Sequence, residues 1–350
     1  MSPLLKARLL LLGAGALWGT FPVVMRRLYT SPGPELAPVF ITAWRYGMMA
    51  LVVLPIYCCS HLRSLEPGAR KSLNRAALEI GMLGEAANIL STAGLSLVPA
   101  VLAETFLGAV HIFVPLQSAL LIGTSSLGAR SVYACGLSFC AVLIGTALST
   151  RRARANHDAL QARGNGDWWV GPSLLVTAAF FYGLMRVRIE HHIRQGRAAV
   201  PLAGARIIAM GSIGLVLLGM DALRGGASAS TLGALLEVTR AQWTWLAVSC
   251  AFSGLGGSLL HFRAQALVPA ANAQPFFALT PVYAAAWARM LLDEPLPPEL
   301  LATAGVMIAG ALLAASDRHG HRLEPKEARS EERELKLVEM EQGAMKVHAV

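Results

Sequence analysis

The sequence has little charge for its length. Only 15% of its 350 residues are Asp, Glu, Lys or Arg, whereas a soluble domain carries roughly 25%. Residues 317–350 hold seven of the 30 Lys and Arg and eight of the 21 Asp and Glu, so the remainder of the chain is poorer still. Together with 55% hydrophobic residues and a mean hydropathy of +0.52, this composition indicates a membrane protein.

Signatures of several other functions are also missing. No phosphate-binding loop of the Walker type is present, so ATP is not the expected energy source. The five cysteines lack metal or redox spacing. The net charge of +9 comes without a basic stripe interleaved with aromatics, so nucleic acid is not an expected partner. We therefore predict no cofactor, no metal site and no enzymatic activity.

Apolar runs dominate the rest of the chain. Each is about 20 residues long, the length that crosses a hydrocarbon core of about 30 Å. They predict an all-α membrane protein with ten transmembrane helices, spans 1 to 10, at 9–28, 38–57, 78–98, 101–122, 132–149, 169–187, 200–219, 243–262, 271–292 and 299–316.

Lys and Arg are distributed unequally between the two sides of this topology. If the N-terminus is cytosolic, the loops on that side hold most of them, including Arg186, Arg188, Arg194 and Arg197 around the connection between spans 6 and 7. Positive loops stay in the cytosol, so we predict that both termini are cytosolic. The membrane is the plasma membrane or that of an organelle. The four arginines of the 151–167 loop argue against this orientation.

One phrase occurs twice. SLVPAVLAET, residues 96–105, returns as ALVPAANAQP, residues 266–275, with Gln274 in the place of Glu104. The proline in each copy has no amide hydrogen to donate, so it suits a hairpin that leads into a new helix.

Arg45 in span 2 and Arg206 in span 7 also occupy matching places. Five spans are an odd number, so the second repeat must cross the membrane inverted. The predicted units are repeat 1 at 9–149, repeat 2 at 169–316 and a charged cytosolic tail at 317–350.

Four segments together resemble the EamA-type ten-helix exporters of the drug/metabolite transporter superfamily. They are ALWGTFPVV (16–24), WRYG in span 2, FLGAVHIFVPLQSALL (106–121) and LTPVYAAAWARMLLDEPLPPELLATAGVMIAGALL (279–313). The resemblance covers about residues 9–316. It implies a secondary transporter whose substrate path is lined by spans 1, 3, 4, 6, 8 and 9. The chain departs from the family pattern at Gly128, where the family has the glutamate that Glu294 supplies in the second half.

Polar residues inside the spans are the candidate site. An ionisable group at the bilayer centre costs about 2.5–3.5 kcal/mol on insertion scales, so it normally faces a cavity or a partner. Helical spacing groups these residues into faces that we expect to meet in one cavity: Glu85, Asn88 and Thr92; Glu104, Gly108, His111 and Pro115; Ser253, Gly257 and His261; Asn272 and Gln274. The resemblance adds Trp18 and Tyr182 to the cavity wall, and Pro115 and Pro281 are the expected helix breaks or gates.

Each of these assignments has an alternative. Trp18 and Tyr182 are also typical packing aromatics. Glu104 and His111 could form a buried ion pair with a purely structural role. Arg45 and Arg206 either brace the fold or bind an anion.

The predicted function is secondary active transport of a small organic metabolite, as an exporter or antiporter that works by alternating access. Protons are a candidate coupling ion, because Glu104 and His111 can titrate. The expected partners are the substrate and the lipid bilayer, and a second copy of the chain is a further candidate. Two alternatives remain: an exchanger of sugar phosphates or nucleotide sugars, and a membrane scaffold that acts through its tail without transport.

Overall fold

The computed structural model describes residues 3–59, 66–98, 100–122, 169–224, 237–293, 305–310 and 312–313, with isolated residues between 132 and 147. Expectations for the 151–167 loop, Gly128, Glu294 and the tail lie outside these residues, as do most of spans 5 and 10. The described residues form helices and no strand. In chain order the helices are α1 (Pro3–Trp18), α2 (Thr20–Thr30), α3 (Pro38–Tyr57), α4 (Pro67–Leu97), α5 (Ala100–Leu107), α6 (Val110–Ile122), α7 (Val170–Arg194), α8 (Ala199–Leu223), α9 (Arg240–Ser249), α10 (Gly257–Gln265), α11 (Ala270–Phe277) and α12 (Thr280–Leu292), with a π-helical segment, Cys250–Gly256, between α9 and α10.

Within the described residues, five helical stretches are long and apolar enough to cross a membrane: Leu4–Thr30, Pro38–Tyr57, Val170–Arg194, Ala199–Leu223 and Arg240–Gln265. They correspond to the predicted spans 1, 2, 6, 7 and 8. Spans 3, 4 and 9 correspond to α4, to α5 with α6, and to α11 with α12. Large apolar side chains such as Leu51, Leu120 and Val216 point outward from these helices. A soluble monomer rarely exposes so much apolar surface, and a lipid bilayer would cover it.

Four of the predicted spans are not continuous α-helices. Span 1 breaks at Gly19, span 4 at 108–109, span 8 at the π-helical segment and span 9 at 278–279. Pro22 and Pro281 lie in the first turn after two of these breaks. Because proline has no N–H, it cannot donate to the carbonyl four residues earlier, so the hydrogen-bond ladder is interrupted there.

Connections that the topology assigns to one side of the membrane contact each other. The Thr239 hydroxyl donates to the carbonyl oxygen of Pro32 at 2.9 Å, which joins the connection before α9 to the one before α3. At the other end, Arg197 donates to the Ser72 hydroxyl at 2.9 Å, joining the α7–α8 connection to the start of α4. These contacts agree with the predicted alternation of helix directions.

The two halves also pack in a matched way. The helix α4 of the first half packs along α7 of the second, and α10 of the second packs along α1 of the first. A β-carbon at Gly19 would lie 2.9 Å from the backbone nitrogen of Ala284 in α12, and one at Gly183 would lie 3.1 Å from Cβ of Phe113 in α6. Both glycines follow an aromatic residue, Trp18 or Tyr182, and both allow close approach to a helix of the other half.

Candidate functional site

A cavity of about 120 Å³ lies between the two halves. Ten of the predicted residues line it: Trp18, Arg45, Asn88, Glu104, Gly108, His111, Tyr182, Arg206, Ser253 and Pro281. Both aromatic residues that the family resemblance added are therefore in the wall. Span 4 contributes most of its predicted face, whereas the faces predicted on spans 3 and 8 contribute one residue each, Asn88 and Ser253.

The breaks in the four spans all border this cavity. Trp18 precedes the break at Gly19, Gly108 lies at the break in span 4, Ser253 lies in the π-helical segment, and Phe277 and Thr280 flank the break in span 9. The amides at three of these breaks keep backbone partners: Gly19 N–H donates to Gly15 O, Gly108 N–H to Glu104 O and Ala278 N–H to Gln274 O, each at 2.9 Å. The breaks therefore change the helical register beside the cavity without leaving these amides unpaired.

Arg45 and Arg206 occupy similar settings in the two halves. Arg45 on α3 donates to Asn88 Oδ1 at 3.3 Å and to Ser253 Oγ at 3.0 Å. Arg206 on α8 donates to Ser258 Oγ at 2.9 Å and contacts the Met185 sulfur at 3.3 Å. Each arginine therefore ties its own helix to the following helix of its repeat, and each also faces the cavity.

Arg186 corrects a sequence prediction. It was assigned to the cytosolic positive charge near the end of span 6, but the structure buries it at 8% exposure within α7 and in the cavity wall. Its Nη1 donates to Gln274 Oε1 at 2.9 Å, and the same amide oxygen lies 3.3 Å from His111 Nδ1. Its guanidinium carbon lies over the rings of Trp18 and Phe277, at 5.0 and 4.8 Å from their centroids. Because α7 continues to Arg194, Arg186 lies within the helix and not in the loop after it.

Glu104 faces the cavity without an ion pair to His111. Among the described residues no hydrogen bond or salt bridge joins these two side chains, although both line the same wall. Glu104 instead interacts electrostatically with Arg186. The alternative of a structural Glu104–His111 pair is therefore not what the structure shows.

Seven predicted residues do not line the cavity, and Thr92, Gly257 and Asn272 are three of them. Gln274 stands behind it and contacts two lining residues, Arg186 and His111. His261 is buried with its ring 4.9 Å from the Trp18 ring, and so supports that side chain from behind. Glu85 is buried and interacts electrostatically with Arg45. Pro115 lies inside α6, away from the cavity, because the break at 108–109 changes the helical register that the spacing assumed.

The π-helical segment shifts the register in span 8. An α-helical reading groups Ser253, Gly257 and His261, whereas the structure brings Ser253 and Ser258 to the cavity. These two serines are five residues apart, the spacing of the π-helix. Their hydroxyls accept from Arg45 and Arg206, so span 8 gives each arginine one partner, Ser253 in the π-helical segment and Ser258 in α10.

Some lining residues could have been found in the sequence. Arg186 is four residues after Tyr182, so α-helical spacing puts both on one face. Ending span 6 at residue 187 hid this relationship. Tyr46, Phe21 and Phe277 also line the cavity, but an aromatic residue in an apolar run has no feature that distinguishes it from a packing residue.

A second cavity, of about 490 Å³, lies between the start of α4 and the end of α7. Its lining is rich in cations, with Lys71, Arg75, Arg188 and Arg197. Glu79 in its wall forms an ion pair with Arg188, and its other carboxylate oxygen lies 3.1 Å from His192 Nε2. The predicted cationic loops before α4 and after α7 thus meet at one end of the molecule. Within the described residues, no cluster of three or more His, Cys, Asp or Glu could hold a metal ion.

The family profile described as "EamA-like transporter family" matches the chain twice, over residues 5–146 and 169–316. The protein of one similar crystal structure has 12% sequence identity to this chain, and the match covers 88% of this chain and 96% of that one with a TM-score of 0.62. At that identity the likeness shows a shared fold alone. A comparison with curated proteins finds no match.

Proposed function

Because the chain belongs to the EamA-like transporter family, we propose that it carries a small organic metabolite across its membrane by alternating access. It is an integral membrane protein with several membrane-spanning helices. The observation that carries the proposal is the cavity between the halves, bordered by the breaks in four helices. Transporters built from inverted repeats bind substrate near the midplane at such discontinuous helices.

The matched halves support the alternating-access part of the proposal. The family profile matches each half, and Arg45 and Arg206 make similar contacts in them. If the repeats are inverted, residues 9–149 and 169–316 rock against each other around the cavity. Gly19 packs closely on α12 and Gly183 on α6. Because glycine has no side chain to interlock with the facing helix, the proposed motion between the halves can occur at these two contacts.

Proton coupling is the second part of the proposal. Glu104 is a buried carboxylate in the cavity wall, and its place in the second repeat is taken by Gln274. Glutamine has the shape of glutamate but cannot ionise. Only the first repeat would then carry a transported proton. The orientation is a separate part of the proposal: both termini would face the cytosol, because the loops on that side hold most of the Lys and Arg.

An exchanger of phosphorylated sugars is the second candidate function, and the arginines favour it. Such substrates need paired cations, and Arg45, Arg186 and Arg206 all line the cavity. The scaffold alternative rests on residues 317–350, which lie outside the described residues, and the experiments below test it.

Counterflow into proteoliposomes tests the transport proposal. Purified full-length protein is reconstituted, and uptake of labelled amino acids, organic acids and sugar phosphates is measured against the same unlabelled solute inside. Thr280→Trp puts an indole ring into the cavity wall and should abolish counterflow. Met290→Trp is the matched control, since it makes the same change on the same helix at a side chain that is 71% exposed.

The scaffold alternative predicts a different outcome. Deleting residues 317–350 should leave counterflow unchanged in a transporter, whereas a scaffold would lose its activity with the tail. If the Thr280→Trp and Met290→Trp proteins show equal rates of counterflow, this outcome would contradict a substrate path through this cavity.

A further inference from the structure

We propose that the cavity selects a small organic anion, which the guanidinium groups of Arg45, Arg186 and Arg206 hold. The inference rests on the proposed transport function and adds the charge and size of the substrate. The shared chemistry is an oxyanion group, either carboxylate or phosphate.

The first argument is the excess of positive charge in the cavity wall. Arg45, Arg186 and Arg206 all line the cavity, and Glu104 is the one carboxylate among the described lining residues. Glu85, outside the lining, interacts electrostatically with Arg45, and the other buried acid of this region, Glu190, pairs with Arg194 and the Ala270 amide. Even with Glu104 and Glu85 both ionised, the arginines outnumber them. A buried charge is costly unless it is compensated, so an anion in the cavity would stabilise this arrangement.

The second argument is that the protein gives these arginines neutral partners. Arg45 bonds to an amide and a hydroxyl, Arg186 to an amide, and Arg206 to a hydroxyl. Among the described residues, no carboxylate oxygen lies within 4.0 Å of any of the three, although other arginines do form ion pairs, such as Arg188 with Glu79. Hydrogen bonds to neutral groups position a guanidinium without cancelling its charge.

The third argument is unused hydrogen-bonding capacity. The three side chains are between 4% and 8% exposed, and the Nε atom of each has no hydrogen-bond partner among the described residues. A guanidinium carries five N–H donors in a planar fork that matches carboxylate and phosphate oxygens. The three Nε atoms are enclosed by protein, so a ligand would use the remaining Nη donors: the bonds to oxygen take two N–H groups of Arg45 and one each of Arg186 and Arg206.

Aromatic rings explain how the unbalanced charges are tolerated. Arg186 lies over Trp18 and Phe277, Arg45 lies 4.7 Å from the Phe21 centroid, and Arg206 lies 5.2 Å from that of Phe262. An aromatic face attracts a cation but carries no net charge. It holds the guanidinium in place and leaves its full positive charge for a ligand.

The volume limits the size of the anion. The cavity measures about 120 Å³, and an engineered cavity of roughly 150 Å³ admits benzene. A short dicarboxylate, an oxo acid or a phosphate ester with a short carbon chain is of this size. A nucleotide-linked sugar is too large for the cavity in this conformation.

The test combines ligand-induced stabilisation with counterflow, both on the full-length protein. The probes are succinate, glycerol phosphate, alanine and putrescine, which represent a dicarboxylate, a phosphate ester, a zwitterion and a cation. We expect succinate or glycerol phosphate to raise the unfolding temperature and to exchange, and the other two probes to do neither. The stronger of the two anions identifies the oxyanion.

Variants assign the binding to the arginines. Arg186→Gln should weaken binding of the active anion roughly tenfold or more, the loss expected for a hydrogen bond to a charged group. Arg186→Lys keeps the charge and should retain part of the affinity. Arg188→Gln is the matched control, because Arg188 is on the same helix and pairs with Glu79 outside this cavity. If Arg186→Gln does not fold, the probe series on the wild-type protein still decides.

The outcomes separate the two proposals. Exchange of alanine or putrescine, with no effect of either anion, overturns the anion inference and leaves transport intact. Stabilisation by an anion that does not exchange supports the anion site and contradicts transport. A folded protein that responds to no probe in either assay contradicts both.

Discussion

Arg186 Nη1 donates a hydrogen bond to Gln274 Oε1 at 2.9 Å, and this bond fixes the guanidinium of a cavity-lining arginine to the second copy of the repeated phrase. Gln274 belongs to the second copy of the phrase, and its counterpart in the first copy, Glu104, interacts electrostatically with the same guanidinium. Two positions that are 170 residues apart thus flank one arginine. One is a neutral amide that orients the guanidinium, and the other is a carboxylate that can gain or lose a proton beside it.

Glu104→Gln should separate exchange from coupling. Substrate counterflow should persist, because glutamine keeps the hydrogen-bonding shape of the protonated acid. Uphill accumulation driven by a pH gradient should be lost, because no carboxylate then carries the proton next to Arg186 and Tyr182. The measurement is uptake into vesicles with and without an imposed pH gradient, once the exchanged solute is known.

Glu237→Gln is the control for this experiment, since Glu237 is exposed and is not part of the cavity wall. If Glu104→Gln vesicles accumulate substrate as well as wild-type vesicles do, Glu104 is not the coupling group and has a structural role.

Arg45→Ala and Arg206→Ala should each lower the unfolding temperature. Each change removes a charged donor from buried acceptors: Asn88 and Ser253 for Arg45, and Ser258 for Arg206. Hydrogen bonds to charged groups contribute about 1.5–3 kcal/mol each. Thermal unfolding of purified protein in detergent measures the effect.

Arg240→Ala should leave the unfolding temperature unchanged, because Arg240 is exposed at the start of α9. Alanine variants of Arg45 and Arg206 that are as stable as wild type but bind the anion weakly would show that the two arginines serve binding alone.

Gly19→Ala should destabilise the protein by steric overlap. The added methyl group would lie 2.9 Å from both the backbone nitrogen of Ala284 and Cβ of Tyr283. Backbone cannot move aside as a flexible side chain can, and overpacking typically costs about 1–3 kcal/mol. Gly47→Ala is the matched helical control, since a β-carbon there meets no atom within 4 Å. Equal unfolding temperatures for the two variants would rule out this close contact.

Membrane orientation can be tested by cysteine labelling in a background without the five native cysteines. Asn156→Cys should react with an impermeant reagent from outside intact cells or vesicles of known sidedness. Ser330→Cys should react only after permeabilisation, because the excess of positive loops predicts a cytosolic tail. Early labelling of Ser330→Cys would reverse the topology.

The composition and the apolar runs were sufficient to predict the membrane class and most of the helices, because these properties depend on hydrophobicity and length, which a sequence displays directly. The family came from the resemblance of four segments of the chain, and the family profile confirms it. The repeated phrase also predicted that Glu104 and Gln274 have related roles. Ten predicted residues, from Trp18 to Pro281, line the cavity, and the polar ones do so because a polar side chain in an apolar run is stable only against a cavity or a partner.

The tertiary structure alone decided which of those polar residues face the substrate and which support them. The inference of a helical face from residue spacing assumes one regular α-helix. The π-helical segment changes the register of span 8, so that Ser258 lines the cavity. The break at 108–109 changes the register of span 4, so that Pro115 does not line it. Whether Arg186 belonged to a loop or to the cavity depended on where α7 ends and on which helices surround it. The partners that hold it, Gln274 and the rings of Trp18 and Phe277, come from distant parts of the chain, and only packing brings them together.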